Sequence, residues 1–277
     1  MGKTLYISDL DGTLLTPEAA LSDYTVRALR QFTQNGGYFS VATARTWNST
    51  QYKLAPVLPL PVPVVLMNGA MVYDTQAGRF ANKQIIAPEA VRELLARVKA
   101  QGQTGFLYSH KEGFIRAYHE ANNRPTMQAF LESRKTFYGK NFTQTEDLAE
   151  HAAEDIIYFT TQDSHENLAA LYEALQGLPE IGCVFYPDSY TIDNWFLECF
   201  SRAASKYNAV RFLREAYGFD KVIGFGDNLN DIPLFRACDE GYAVANAREE
   251  LKAVASGVIG ANTEDGVTRF LEGISCL

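Results

Sequence analysis

The stretch Thr4-Leu5-Tyr6-Ile7-Ser8-Asp9-Leu10-Asp11-Gly12-Thr13 decides the fold. Its first half is a short β-rich run, and it stops abruptly at two carboxylates two residues apart, followed by Gly-Thr. In a doubly wound sheet the carboxyl ends of the strands form the ligand crevice. Paired carboxylates there are unfavourable unless a cation neutralises them, and magnesium suits hard oxygen ligands. An Asp-Gly pair closing a strand is also an ordinary turn, and Asp-Gly alone says no more than that. Asp-x-Asp-Gly-Thr, however, arises by chance in about 0.3% of chains of this length. Its place at the end of a first buried strand favours a site over a turn.

Outward from that stretch the chain alternates strands and helices. A helix pattern runs from the capping hydroxyl of Ser22 through Val26, Leu29 and Phe32 to Asn35-Gly36-Gly37. Residues 38–42 and 62–67 read as further apolar strands, the second closed by the turn signal Asn68-Gly69. The last third repeats the grammar, with helices at 203–217, 232–237 and 248–255 and strands at 222–225, 242–244 and 257–259. Nearly all-apolar strands separated by helices predict a parallel sheet covered on both faces.

The middle differs. A helix at 88–100, a hairpin of 104–108 with 114–118, a strand at 156–160, a helix at 168–175 and strands at 183–186 and 190–192 make an α+β pattern. The expected architecture is α/β, a doubly wound parallel-sheet core of residues 1–82 and 195–277 with an inserted α+β cap at 83–194.

Composition excludes several classes. The 277 residues are 47% hydrophobic and include 17 Phe and 15 Tyr, which supplies ample burial and excludes a disordered chain. A net charge of −8 argues against a surface that embraces nucleic-acid phosphates. The first residues hold no apolar signal core, and the longest apolar run, 57–67, contains Pro59, Pro61 and Pro63 and is too short to span a bilayer. The four cysteines are scattered and the four histidines fall at no zinc-like spacing. A reducing cytoplasm is the expected setting, with neither nucleic acid nor membrane as partner.

Other strand ends carry polar groups as well. Thr43-Ala44-Arg45 could grip a phosphate oxygen through a hydroxyl and backbone amides, or Thr43 could simply close the strand and cap the next helix. Lys206 stands early in a helix, where the helix dipole opposes a cation and favours a nearby anion; Arg202 competes with it. Gly226-Asp227-Asn228-Leu229-Asn230-Asp231 follows another buried strand, and a helix starting there aims Asp227 and Asp231 at the strand ends. Five polar groups beside Phe225 read as a metal site, with helix capping as an additional role.

Asp-x-Asp-Gly-Thr, a strand-end Thr, a downstream Lys and Gly-Asp-x-x-Asn-Asp, in that order, resemble the haloacid-dehalogenase-like phosphatases. The insertion between Thr43 and Lys206, and Asn68-Gly69-Ala70 after the third strand, are similar to the Cof-like branch with an α/β cap. Two departures stand out: Thr43-Ala44-Arg45 where that branch often has Thr-Gly-Arg, and Lys206-Tyr207 where it often has Lys-Gly.

The resemblance implies a nucleophile at Asp9, forming an aspartyl-phosphate, and a general acid and base at Asp11. It implies Mg2+ held by Asp9, the backbone carbonyl of Asp11 and Asp227, with Asp231 as a further ligand or support. Thr43, Asn230 and Lys206 would hold the phosphoryl oxygens, with Leu10, Ala44 and Arg45 beside them. The substrate would be a small phosphorylated metabolite, chosen by the cap through residues such as Tyr108, His110, Arg116, Tyr118, Arg124 and Tyr186. Two alternatives are a phosphomutase or phosphotransferase with the same early motifs and a receiver-type phospho-acceptor module. The receiver is disfavoured because its phosphoacceptor lies on a later strand than its acidic pair.

Overall fold

The computed structural model describes residues 2–111, 113–138, 142–188 and 193–275. They form two compact units, Met1–Asn82 with Ser205–Leu277, and Lys83–Ala204. The first unit opens with β1 (Thr4–Ser8), α1 (Asp23–Gln34), β2 (Tyr38–Val41), α2 (Trp47–Leu54), β3 (Val64–Leu66), β4 (Met71–Asp74) and β5 (Arg79–Lys83). The second contains α3 (Pro88–Ala100), β6 (Phe106–Lys111), β7 (Phe114–His119), α4 (Pro125–Tyr138), β8 (Phe142–Gln144), β9 (Ile156–Asp163), α5 (His165–Gln176), β10 (Ile181–Pro187) and β11 (Trp195–Ser201). The first resumes with α6 (Lys206–Tyr217), β12 (Lys221–Gly226), α7 (Ile232–Ala237), β13 (Glu240–Val244), α8 (Glu249–Lys252), β14 (Gly257–Ile259) and α9 (Gly266–Ser275).

The core sheet has the order β14-β13-β12-β1-β2, and every pairing in it is parallel. Such strands are buried on both faces, and Leu5, Ile7, Phe39, Val41, Val222 and Phe225 are fully enclosed. The order puts β1 beside β12, with Ser8 opposite Phe225. The Asp9 amide then donates to the Phe225 carbonyl at 2.9 Å, so Asp9 and Asp227 leave adjacent strand ends together. Beyond β2 the sheet is continued by one parallel bridge, Ala42 to Val65, into a small sheet of order β3-β4-β5, in which β3 and β4 pair antiparallel. The apolar pattern predicted β3; β4 and β5, which alternate less clearly, had no such signal.

Local chemistry fixes the helices that matter for the site. The Ser22 hydroxyl accepts the Thr25 amide at the start of α1, as expected. Ser205 does the same for Asn208 at the start of α6, and Gly218, with φ 65°, ends that helix in a left-handed turn. The helix expected over 203–217 therefore starts later, with Lys206 as its first residue.

The second unit carries a six-stranded sheet of order β10-β11-β9-β6-β7-β8. Helices α3 and α5 pack on it through Val91, Leu94, Leu168, Leu171 and Leu175 against Leu107, Phe159 and Leu197. The expected hairpin forms, but its strands run to Lys111 and resume at Phe114. The expected strand at 190–192 lies outside the described residues.

The second boundary is corrected from 194/195 to 204/205. Strand β11 pairs antiparallel with β10 on one side and β9 on the other, so it belongs to the inserted sheet and not to the core. An apolar strand just before a catalytic-looking lysine reads equally well as the end of an insertion or the return of a core. Pairing partners decide, and they are not local.

Gly69 has φ +99°, and a Cβ on it would lie 2.1 Å from the Ser205 carbonyl oxygen, next to Lys206. Gly69→Ala combines a disfavoured backbone with a clash against a helix start, and should destabilise the protein by about 2 kcal/mol or more. Urea unfolding of the two proteins measures this; a difference within about 0.5 kcal/mol, the surface-substitution range, would contradict the packing described.

Candidate active site

The site is assembled from strand ends and the turns that follow them. At the end of β1, Asp9 is 5% exposed and Leu10 turns its side chain into the core, so Leu10 offers a site only its backbone. The chain then makes one wide turn, closed by the Leu15 amide on the Leu10 carbonyl at 2.9 Å. Gly12 sits in that turn at φ +78°, and a Cβ there would lie 2.4 Å from Asp227 Oδ2. Glycine is thus required twice over, for the backbone and for the approach of the carboxylate.

Lys206 organises the centre. Its ammonium donates to Asp9 Oδ1 at 2.6 Å and to Asp231 Oδ1 at 2.7 Å, and the lysine is only 2% exposed. Asp231 uses its other oxygen to accept the amides of Asp227 at 3.0 Å and Asn228 at 3.1 Å. Asp231 is therefore both the lysine's partner and the cap of the turn that presents Asp227. Asp227 Oδ1 accepts the Thr13 hydroxyl at 2.9 Å, which ties the two motifs directly. Asp9 Oδ2 has no hydrogen bond among the described residues.

Asp9, Asp227 and Asp231 place carboxylate oxygens within 4.8 Å of one another. Three carboxylates against one ammonium leave two negative charges with little water around them. Burial, with Asp231 and Asp227 nearby, pushes the Asp9 carboxyl well above the usual range despite the pull of Lys206. Asp227 is pushed up to about 6, chiefly by burial and then by Asp231. For Lys206, burial opposes the charge, but Asp231 and Asp9 win and hold it protonated. A hard divalent cation would remove this imbalance, and the donor set is all oxygen, which is what magnesium takes.

Asp11 lies at the rim. Its two oxygens accept Arg45 Nε at 2.7 Å and Nη2 at 2.6 Å, while Arg45 Nη1 donates to the Ser49 hydroxyl at 2.8 Å. Arg45, expected beside the phosphoryl oxygens, here forms a two-bond ion pair with Asp11. Thr43 is buried at the end of the β2 segment, where its hydroxyl accepts the Arg45 amide at 3.1 Å, and Ala44 next to it is exposed. Asn230 donates to Asn68 Oδ1 at 3.4 Å. Asn68 itself follows Met67 in an unusual pair of left-handed residues, φ 53° and 51°, that returns its amide to the Thr43 carbonyl.

Two asparagines escaped the sequence reading. Asn246, just past β13, donates to the Gly12 carbonyl at 2.7 Å and accepts the Asn262 amide at 3.0 Å. Asn262, just past β14, donates to the Leu15 carbonyl at 2.8 Å. Together they fix the middle and the far end of the Gly12 turn from neighbouring strands. The signal was present: each is a polar residue shortly after an apolar strand, the same rule that singles out Asp227.

In the second unit, two expected substrate contacts have other work. Tyr118 packs in that unit's own core, stacked 3.6 Å on His151 and donating to Glu154 at 3.0 Å. Arg124 is held by Asp163 at 2.9 Å and the Gly102 carbonyl at 2.9 Å. Arg202, the competitor of Lys206, donates to the carbonyls of Leu178, Pro179 and Ile181 and is a tie within its own unit. Among the described residues no helix is long and apolar enough to cross a membrane.

One family model matches nearly the whole chain. Residues 6–271 match the family described as haloacid dehalogenase-like hydrolase. The chain is similar to a pyridoxal phosphate phosphatase of Escherichia coli, 28% identical over 95% of both chains. It is also similar to a 5-amino-6-(5-phospho-D-ribitylamino)uracil phosphatase of Bacillus subtilis, 23% identical over 95% of this chain and 94% of the other. A solved Thermotoga maritima structure shares the fold with a TM-score of 0.78 at 24% identity, covering 99% of this chain and 97% of that one.

Removing the central cation tests the charge argument. Lys206→Met would leave Asp9 and Asp231 buried without their cation, and should lower stability by about 3–5 kcal/mol at neutral pH. Denaturant titration reads this directly. A loss below about 1 kcal/mol, the range of an exposed ion pair, would mean that the lysine does not hold the site together.

Proposed function

The chain belongs to the haloacid dehalogenase-like hydrolases, and we propose that it hydrolyses small phosphate monoesters through an aspartyl-phosphate on Asp9, with Mg2+ as cofactor. Its curated relatives are named phosphatases, and it is a phosphoric monoester hydrolase. The observation that carries the finer reading is the one oxygen of buried Asp9 left without a hydrogen bond, beside carboxylates that lack a balancing charge.

In this reading Asp9 Oδ2 attacks phosphorus as the bond to the leaving oxygen breaks. Lys206 keeps the other Asp9 oxygen fixed and offsets charge between the carboxylate and the incoming phosphoryl group. Asp11 gives its proton to the leaving alkoxide, then takes one from the water that attacks phosphorus and frees Asp9. Arg45 orients Asp11 through both oxygens, so carrying the proton means releasing one of those two bonds. The Thr43 hydroxyl and the Asn230 amide are assigned to the phosphoryl oxygens. Asp9, the Asp11 carbonyl and Asp227 would hold the magnesium, with Asp231 supporting Asp227 through the backbone, and the bound cation would supply positive charge to the phosphoryl oxygens.

The named relatives act on pyridoxal phosphate and on a phosphorylated ribitylamino-uracil. A phosphorylated metabolite of that size is the substrate class proposed here. The Lys83–Ala204 unit carries none of the reacting groups, and we assign it the choice among leaving groups. Tyr186, exposed on β10, is the candidate proposed for that contact.

Stripping the metal with excess chelator should abolish turnover of a phosphate monoester, and Mg2+ should restore it; full activity in chelator would refute the cofactor assignment. Asp9→Asn should form no phosphoenzyme. Asp11→Asn should lose about 10²–10⁴-fold on an alkyl phosphate and much less in the first step on nitrophenyl phosphate, whose leaving group needs no proton. Equal losses on both esters would remove Asp11 from the acid role.

The raised Asp227 carboxyl also sets a pH window. Its folded pKa of about 6 lies above the ordinary value of 3.8, so the native state keeps a proton that the unfolded chain has already released. Its stability contribution therefore declines as pH rises from about 4 through 6, and a cation bound to the carboxylate reverses that decline. Apparent Mg2+ affinity should be about tenfold weaker at pH 5 than at its plateau, the effect of one pH unit below that pKa. Thermal unfolding with and without Mg2+ at pH 5 and pH 7.5 measures it; equal metal-induced shifts at both would contradict it.

A further inference from the structure

Two cysteines of the Lys83–Ala204 unit face each other without a role in the chemistry above. Cys183 on edge strand β10 and Cys199 on β11 are directly opposed in an antiparallel pair, and their sulfurs are 3.6 Å apart. Opposed residues in such a pair stand about 4.5 or 5.5 Å apart at Cα, both inside the about 4.4–6.8 Å that a disulfide spans. Rotation of the side chains alone can therefore close the gap. The two thiols differ in environment: Cys199 is fully buried in the core beneath α3 and α5, whereas Cys183 is partly exposed at its edge.

We propose that Cys183 and Cys199 form an oxidant-sensitive dithiol, which a hydroperoxide converts into a cross-strand disulfide. Cys183 attacks first. The S–H of Cys199 and then the guanidinium of Arg202 favour its thiolate, while burial holds the Cys199 thiol protonated. The Cys183 thiolate takes the terminal oxygen of hydrogen peroxide, giving a sulfenic acid and hydroxide as the O–O bond breaks. The Cys199 sulfur then displaces that oxygen, forming the S–S bond, and its proton leaves with the hydroxyl as water. Two thiols and one peroxide give one disulfide and two waters. Because burial keeps Cys199 close and out of reach of solvent, the sulfenic acid meets a thiol before it meets a second peroxide. The product ties edge strand β10, paired on one side only in its sheet, covalently to β11.

The test is hydrogen peroxide treatment of the native full-length protein, followed by digestion without reductant and mass spectrometry. The expected product is a peptide pair joining Cys183 to Cys199, two hydrogens lighter than the separate thiols and released by dithiothreitol. In C199S the resolving thiol is gone, so dimedone should capture sulfenic acid at Cys183 at least about tenfold more than in the wild type. Replacing Cys238 or Cys276 by Ser should change neither result. Sulfinic acid at Cys183 with Cys199 still a free thiol, or cross-links only between molecules, would overturn the proposal. The wild-type mapping decides the question even if C199S does not fold.

Discussion

The bridge from the Lys206 ammonium to Asp9 and Asp231 is the interaction on which the rest of the site depends. A lysine this deeply enclosed is sustained only by carboxylates within hydrogen-bond reach, and those carboxylates in turn need the lysine. The three residues come from β1, the start of α6 and the turn after β12, so one interaction couples three parts of the core. It also dictates what is missing. One ammonium does not balance Asp9, Asp227 and Asp231, and the remaining charge makes the cleft receptive to a hard cation.

The turns around that centre are shaped to let charge and backbone approach closely. Gly12 has no side chain because Asp227 occupies the space where one would go, and Gly69 has none because the Ser205 carbonyl does. Thr13 binds Asp227, Asp231 binds the Asp227 and Asn228 amides, and Asn246 and Asn262 hold the Gly12 and Leu15 carbonyls. The carboxylates of the cluster are thereby held by residues outside it, and the parallel sheet supplies the common edge on which both sets stand.

Much of this was legible along the chain. The Asp9 to Thr13 and Gly226 to Asp231 motifs follow apolar strands, and a strand long enough to be buried must deliver its next polar residue to the sheet edge. Asn246 and Asn262 obey the same rule and were readable in principle. The pairing of Arg45 with Asp11 was not, because which anion a long side chain reaches depends on the turn it leaves from. Local inspection left Lys206 and Arg202 as two cations near one helix start, and only the family resemblance singled out Lys206.

The sequence by itself determined the alternation of buried strands and amphipathic helices, the acidic motifs at the strand ends, the capping hydroxyl of Ser22 and the presence of an inserted α+β segment. These follow from short-range physics: side-chain polarity, helix and strand periodicity, and the conformations open to glycine. Only the tertiary structure decided that β1 lies beside β12, that β11 belongs to the inserted sheet, and that the Lys206 ammonium bridges Asp9 and Asp231. Each of those outcomes is a pairing between segments far apart in the chain. A pairing is fixed by the joint satisfaction of backbone hydrogen bonds and buried charge across the whole sheet, which no local pattern contains.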